Sequence, residues 1–189
     1  MDDINKTVVR IFSQNTEINW LIPYKNLEDN LSSSSGFFIS NNLILTCSHN
    51  VINSKKIFFE IPYEGREKYE AIISFICPKF DLALLKTKNY NNKKFLNLHD
   101  EKIIYQLNSG LNVYAVGFPL NQNNLKKSNG IISGSNNGLI QTTAALNPGN
   151  SGGPLLFNNK VIGISTSKIK SASNIGYATP ITYYYVIKN

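Results

Sequence analysis

Short apolar runs alternate along this chain with turns rich in Asn and Gly, and few apolar stretches outlast a single strand. That spacing predicts β-strands near Thr7–Phe12, Lys56–Ile61, Tyr69–Ile76, Asp81–Lys86, Asn112–Gly117, Gly130–Ser133, Leu139–Thr142 and Gly176–Thr179. Two further pairs read as hairpins. Phe37-Phe38-Ile39 and Leu43-Ile44-Leu45 flank Asn41-Asn42, while Leu155-Leu156-Phe157 and Val161-Ile162-Gly163-Ile164 flank Asn158-Asn159-Lys160. Asn tolerates the left-handed backbone that tight hairpins need. No window carries a helical period until Tyr183-Tyr184-Tyr185-Val186-Ile187, which predicts a short terminal helix docked on the preceding strands. So many short strands imply an all-β fold of closed antiparallel barrels, because closure removes the exposed edges.

The polar, Asn- and Lys-rich stretch from Thr87 to Asn108 divides the pattern in two. The expected organisation is one domain over 1–189, with an N-terminal barrel over about 1–90, a connector over about 87–108, a C-terminal barrel over about 109–180 and a terminal helix over about 181–187. Residues 13–35 fit this scheme least well. Ile18-Asn19-Trp20-Leu21-Ile22-Pro23-Tyr24 reads as a strand edge packed on the first barrel or as a loop used in self-association, and packing suits the single Trp better.

Composition narrows the class. With 189 residues, 42% of them hydrophobic, the chain can bury one sizeable core or two small ones. No stretch approaches the roughly 18 apolar residues of a membrane span. The start, Met1-Asp2-Asp3-Ile4-Asn5-Lys6, lacks a basic-then-apolar secretory pattern, so an intracellular or virus-associated setting is the default and the sequons at Asn5 and Asn30 carry little weight. The net charge of +7 is spread over scattered pairs, Lys55-Lys56, Lys93-Lys94 and Lys126-Lys127, without interleaved aromatics, so no specific nucleic-acid partner is expected. Cys47 and Cys77 form neither a metal spacing nor a disulfide scaffold and read as small buried thiols; no metal and no cofactor is expected.

The candidate chemistry centres on Asn147-Pro148-Gly149-Asn150-Ser151-Gly152-Gly153-Pro154-Leu155-Leu156, a glycine-rich turn that opens an apolar strand and holds one serine. Glycines on both sides of Ser151 allow a sharp turn and a close approach to substrate, so that the amides of Gly149 and Ser151, with Asn150 shaping the turn between them, can aim at one oxyanion. A serine hydroxyl needs a base, and the chain has two histidines. His49 ends an apolar run, where a short helical turn can begin; His99, between Leu98 and Asp100, reads as an exposed connector residue. Asp81 stands directly against the run Leu82-Ala83-Leu84-Leu85 and is the best carboxylate to orient His49. The order His, Asp, Ser, each at the edge of an apolar strand, is one of three known orders of a Ser-His-Asp triad.

On these residues the chain resembles a chymotrypsin-fold serine protease and is most similar to the HtrA/Deg protease domain. The likeness runs through Gly36-Phe37-Phe38-Ile39-Ser40, Leu45 to Val51, Asp81 to Lys86, Ala115-Val116-Gly117-Phe118-Pro119, Gly130 to Ser133, Ile140 to Leu155, Val161 to Thr166 and Ile175 to Pro180. It implies two packed six-stranded antiparallel barrels with the site between them, a protein or peptide substrate, and catalysis by His49, Asp81 and Ser151 through an acyl-enzyme. It also implies a specificity pocket with Ala145 at its base, Thr166, Ser167 and Lys168 along one wall, and Gly176 to Ala178 on the other. Without a carboxylate at Ala145 the expected preference is a small or medium aliphatic residue before the cut, with Lys168 leaving an acidic preference open. The chain stops at Asn189 without the PDZ domain common in that group, so its oligomeric state does not carry over. A lone protease unit also fits a virus-encoded enzyme or a fragment, and an inactive protease fold used as a binding module is the alternative class.

Overall fold

A computed structural model describes residues 2–15, 30–168 and 175–188. Ile18–Tyr24, with Trp20, lies outside the described residues. The first closed barrel contains β1 (Val8–Asn15), β2 (Asn30–Phe38), β3 (Leu43–Thr46), β4 (Ser54–Glu60), β5 (Tyr69–Cys77) and β6 (Leu82–Thr87). The second contains β7 (Asn112–Gly117), β8 (Lys126–Asn136), β9 (Leu139–Thr142), β10 (Pro154–Phe157), β11 (Lys160–Lys168) and β12 (Gly176–Pro180). All ladder pairings are antiparallel, in the orders β1-β2-β3-β6-β5-β4 and β10-β11-β12-β9-β8-β7. The expected all-β, two-barrel fold is therefore the one observed, and it is closed by α2 (Thr182–Lys188).

The near-continuous apolar runs of the first barrel have a physical reason. Successive side chains of a strand face opposite ways, and here both faces are covered. Val9, Ile11, Phe38, Ile44, Ala83 and Leu85 fill the interior of the first barrel. Their neighbours Val8, Phe37, Leu45 and Leu82 face outward into a cluster continuous with the core of the second barrel, which includes Val116, Leu155, Ile162 and Ile164. The seam between barrels is thus a buried apolar layer, and the strand ends that carry the candidate residues are held against it.

Turn chemistry agrees with the sequence in part. Asn158 and Asn159 both take positive φ, 48° and 61°, between β10 and β11, and Asn137-Gly138 does the same, 50° and 77°, between β8 and β9. These are the primed turns that match strand twist. Asn41 and Asn42 also lie between paired strands, β2 and β3, but neither has positive φ; the connection over 39–42 is a wider bend that needs no left-handed residue.

Three expectations are corrected. A helix precedes the C-terminal one, α1 (Asp2–Thr7), too short to show a helical period. The connector holds a 3₁₀ helix at Glu101–Gln106, capped by the Asp100 carboxylate accepting from the Lys102 amide at 2.9 Å. His99 is not an exposed connector residue: its side chain is only 16% exposed, its amide donates to the Val161 carbonyl and its carbonyl accepts from Tyr185 Oη. The terminal helix also reaches beyond the second barrel, since Tyr183 stacks on Phe80 of the first, centroids 4.3 Å apart and planes at 14°. No helix among the described residues is long and apolar enough to cross a membrane.

Candidate active site

β3 ends at Thr46, Cys47 stays extended, and the 3₁₀ turn Ser48–Asn50 then swings His49 outward, leaving its side chain half exposed. Asp81 follows a second 3₁₀ turn, Pro78–Phe80, and adopts the left-handed conformation, φ 52° and ψ 46°, so it precedes β6 rather than opening it. Asp is among the few residues that tolerate this backbone. It places the carboxylate beneath the His49 turn, where four donors from three residues meet it. Ser48 Oγ donates to Oδ1 at 2.9 Å, the His49 amide donates to Oδ1 at 3.0 Å, His49 Nδ1 lies 2.9 and 2.8 Å from the two oxygens, and Thr166 Oγ1 donates to Oδ2. Burial alone would raise the Asp81 carboxyl. The bonds from the His49 ring, Thr166 and the His49 amide outweigh it and hold the group well below the usual carboxylate range. With Nδ1 engaged by a carboxylate, the ring carries its proton there and turns the Nε2 lone pair outward.

The second half of the site is the turn 147–153. Gly149 and Gly152 have φ of 97° and 88°, and Gly152 also has no room for a side chain: a Cβ there would lie 2.1 Å from the Ser35 carbonyl oxygen and 2.2 Å from Thr46 Oγ1. Both clashing atoms belong to the first barrel, so this glycine is where the turn is pressed into the seam. Amides along the turn alternate in their use. Those of Asn150, Gly152 and Gly153 donate to Asn147, Ser165 and Asn150 carbonyls at 2.7–2.9 Å. Those of Gly149 and Ser151 donate to no acceptor among the described residues. The Pro148 carbonyl accepts from the Leu120 amide at 2.7 Å, which fixes the plane of the peptide carrying the Gly149 N–H. Ser35 Oγ donates to the Gly149 carbonyl at 2.7 Å and accepts from the Phe118 amide.

Thr166 joins the two halves. A register shift between Ser165 and Ser167 takes it out of the β11–β12 ladder. Its hydroxyl is then free for Asp81, and its carbonyl accepts from Ser151 Oγ at 3.1 Å. The family resemblance implies a pocket-wall position for Thr166; here it contacts two of the three candidate residues. His49 and Ser151 form no hydrogen bond with each other, since the Ser151 hydroxyl is turned to Thr166.

Of the remaining predicted positions, Ala145 is exposed and its carbonyl faces Asn150 Nδ2 at 3.4 Å. Gly176 and Ala178 are buried on β12, paired with Thr142 and Ile140. A Cβ on Gly176 would meet Leu146 Cδ1 at 2.7 Å, so Leu146, which the sequence left unassigned, packs over that wall. Ser167 and Lys168 lie on β11 opposite Tyr177 and Gly176. Ser35, Ser48, Asn50 and Leu120 were also missed. Ser48 and Asn50 flank His49 and are within reach of a sequence argument; the Ser35 contacts span the two barrels and the Leu120 contact joins two separate loops of the second, so neither leaves a periodic trace.

Ligand atoms of Cys47, His49 and Asp81 come within 4.8 Å of one another, a grouping that could be read as a metal site. The donor set argues for a hydrogen-bond network instead. The Asp81 oxygens are already occupied, and Cys47 is fully buried, its thiol donating to the Ser165 carbonyl at 3.3 Å. Burial, and then the charge of Asp81, push that thiol well up, away from the thiolate that metals prefer.

Comparison with known proteins agrees with this geometry. Over 94% of its length the chain is 33% identical to a serine protease DegP homolog of Plasmodium falciparum (isolate 3D7), covering 21% of that protein. Over 92% it is 33% identical to protease Do-like 4, mitochondrial, of Arabidopsis thaliana, covering 35%, and over 84% it is 36% identical to serine protease HTRA4 of Mus musculus, covering 34%. The chain thus spans between a fifth and about a third of the length of these relatives. Residues 34–164 match the family model of the trypsin-like peptidase domain, which includes both halves of the site, and the chain belongs to that family.

Proposed function

We propose that the protein is a serine endopeptidase working through His49, Asp81 and Ser151. The observation that carries this reading is the double bond pattern of Thr166, hydroxyl to Asp81 and carbonyl to Ser151, because it ties the imidazole half and the serine half to one residue at the seam. When substrate enters, the Ser151 hydroxyl rotates from the Thr166 carbonyl to His49 Nε2. Ser151 Oγ attacks the scissile carbonyl as Nε2 takes its proton, and Asp81 stabilises the imidazolium that results. The amides of Gly149 and Ser151, which donate to no acceptor among the described residues, receive the oxyanion, at no reorganisation cost because the turn already holds them. The imidazolium then protonates the leaving amine, and water repeats the cycle on the acyl-enzyme.

Preference for a small or medium aliphatic residue before the cut is part of the proposal. It is supported by Ala145, which brings no charge, and by Leu146 packed over Gly176, which narrows the wall formed with Ala178 and Thr166. Ser167 and Lys168 complete that strand. Cleavage profiling on a peptide library tests both levels: the wild type should cut after Ala, Val or similar residues and Ser151→Ala should not cut. Strong cutting after Arg contradicts the pocket; equal cutting by both proteins contradicts the nucleophile.

A further inference from the structure

Asn50 ends the same 3₁₀ turn that presents His49, and its side chain crosses the seam. Nδ2 donates to the Ser151 carbonyl at 3.0 Å and to Thr46 Oγ1 at 3.1 Å. The Asn50 carbonyl accepts from Ser13 Oγ at 2.6 Å, so the residue is anchored on β1 while it reaches across. Among the described residues the Ser151 carbonyl takes one other bond, from the Ser35 amide at 2.9 Å. Both donors come from the first barrel, whereas Ser151 belongs to a turn of the second. Only the Asn50 bond is made by a side chain, and only Asn50 is one peptide away from His49. Gly152 keeps the path open, since a Cβ there would lie 2.8 Å from Asn50 Nδ2.

We infer that Asn50 is a positioning residue for the acyl transfer proposed above: its carboxamide sets the Ser151 backbone at a fixed distance from the His49 turn. The inference rests on that proposal and adds a residue to it. A carbonyl held by two donors cannot tilt freely, and the plane of the Ser151–Gly152 peptide governs where Oγ can swing. Removing one donor loosens the nucleophile and leaves the His49–Asp81 pair intact. A displacement of about 1 Å in a reacting group costs as much as 10²-fold in rate, so a partial loosening should cost about tenfold.

Saturation kinetics with a fluorophosphonate probe separate this from a merely structural role. Asn50→Leu keeps the shape and removes the donor; Asn50→Asp, which also cannot donate, serves if the Leu protein does not fold. The expected result is a maximal labelling rate about tenfold below wild type, a half-saturating probe concentration within twofold, and full labelling at long times. A rate less than threefold below wild type in folded variant overturns the inference, as does a loss seen only as a smaller labelled fraction reacting at the wild-type rate. A wild type that does not react at all removes the serine-hydrolase proposal itself, and that outcome is distinct from either variant result.

Discussion

The two halves of the site are prepared in opposite ways. In the first barrel the Asp81 carboxylate is saturated, with four donors from Ser48, His49 and Thr166. In the second, the Gly149 and Ser151 amides are left without acceptors among the described residues while those of Asn150, Gly152 and Gly153 are used. A group that must keep its charge and hold a ring in one tautomer gains from full satisfaction. A group that must stabilise charge appearing only during reaction gains from being empty and already aimed. On the proposed mechanism, the difference separates a permanent anion from a transient one.

The most severe way to break the contrast is Asp81→Asn, which keeps the shape and reverses the hydrogen-bond polarity facing Nδ1. On the proposed mechanism turnover falls about 10⁴-fold, the loss found when the carboxylate of a Ser-His-Asp triad becomes an amide; steady-state hydrolysis of the best library peptide measures it. On the other side of the seam, Gly152→Ala forces a methyl group into the Ser35 carbonyl and imposes positive φ on an L side chain. Urea unfolding should show a loss of about 3 kcal/mol or more. Thr166→Val removes one of the four donors while sparing the carbonyl that holds Ser151. Hydrogen bonds to charged groups contribute about 1.5–3 kcal/mol to stability, so urea unfolding at pH 7 should show a loss of about that size.

How much of this was legible depends on the length scale of each signal. Strand positions and the His49, Asp81 and Ser151 segments are local patterns, and the barrels follow from them. The bulge at Thr166 is not local: it exists because β11 and β12 pair out of register there, and pairing registers are not written in one strand. Ser35 and Gly149 meet across 114 positions, so nothing near either residue announces the contact. The left-handed Asp81 also escaped, because an Asp before an apolar run reads equally well as the first residue of the strand. His99 has a similar reason: its polar neighbours suggest exposure, yet Val161 and Tyr185 hold its backbone from distant parts of the chain.

The pH dependence of stability sharpens the comparison further. Asp81 titrates lower in the folded protein than its unfolded value of about 3.9. Its contribution is therefore fully present above that value and is lost as pH falls below about 4 toward the folded one. Urea midpoints between pH 7 and pH 2 should decline less steeply at the acid end in Asp81→Asn than in the wild type. The smallest effect belongs to His99→Ala. That residue lies outside the His49–Asp81–Ser151 network and holds its place mainly through backbone bonds, so hydrolysis should stay within about twofold, consistent with the loss of no transition-state contact.

The central claim is that Ser151 is made nucleophilic by His49 across the seam. Intact-mass and peptide-mapping analysis after fluorophosphonate treatment tests it most directly. The account predicts a single adduct on Ser151 in the wild type and at most trace labelling in His49→Ala. Folded wild type with no adduct, or an undiminished adduct in His49→Ala, contradicts it.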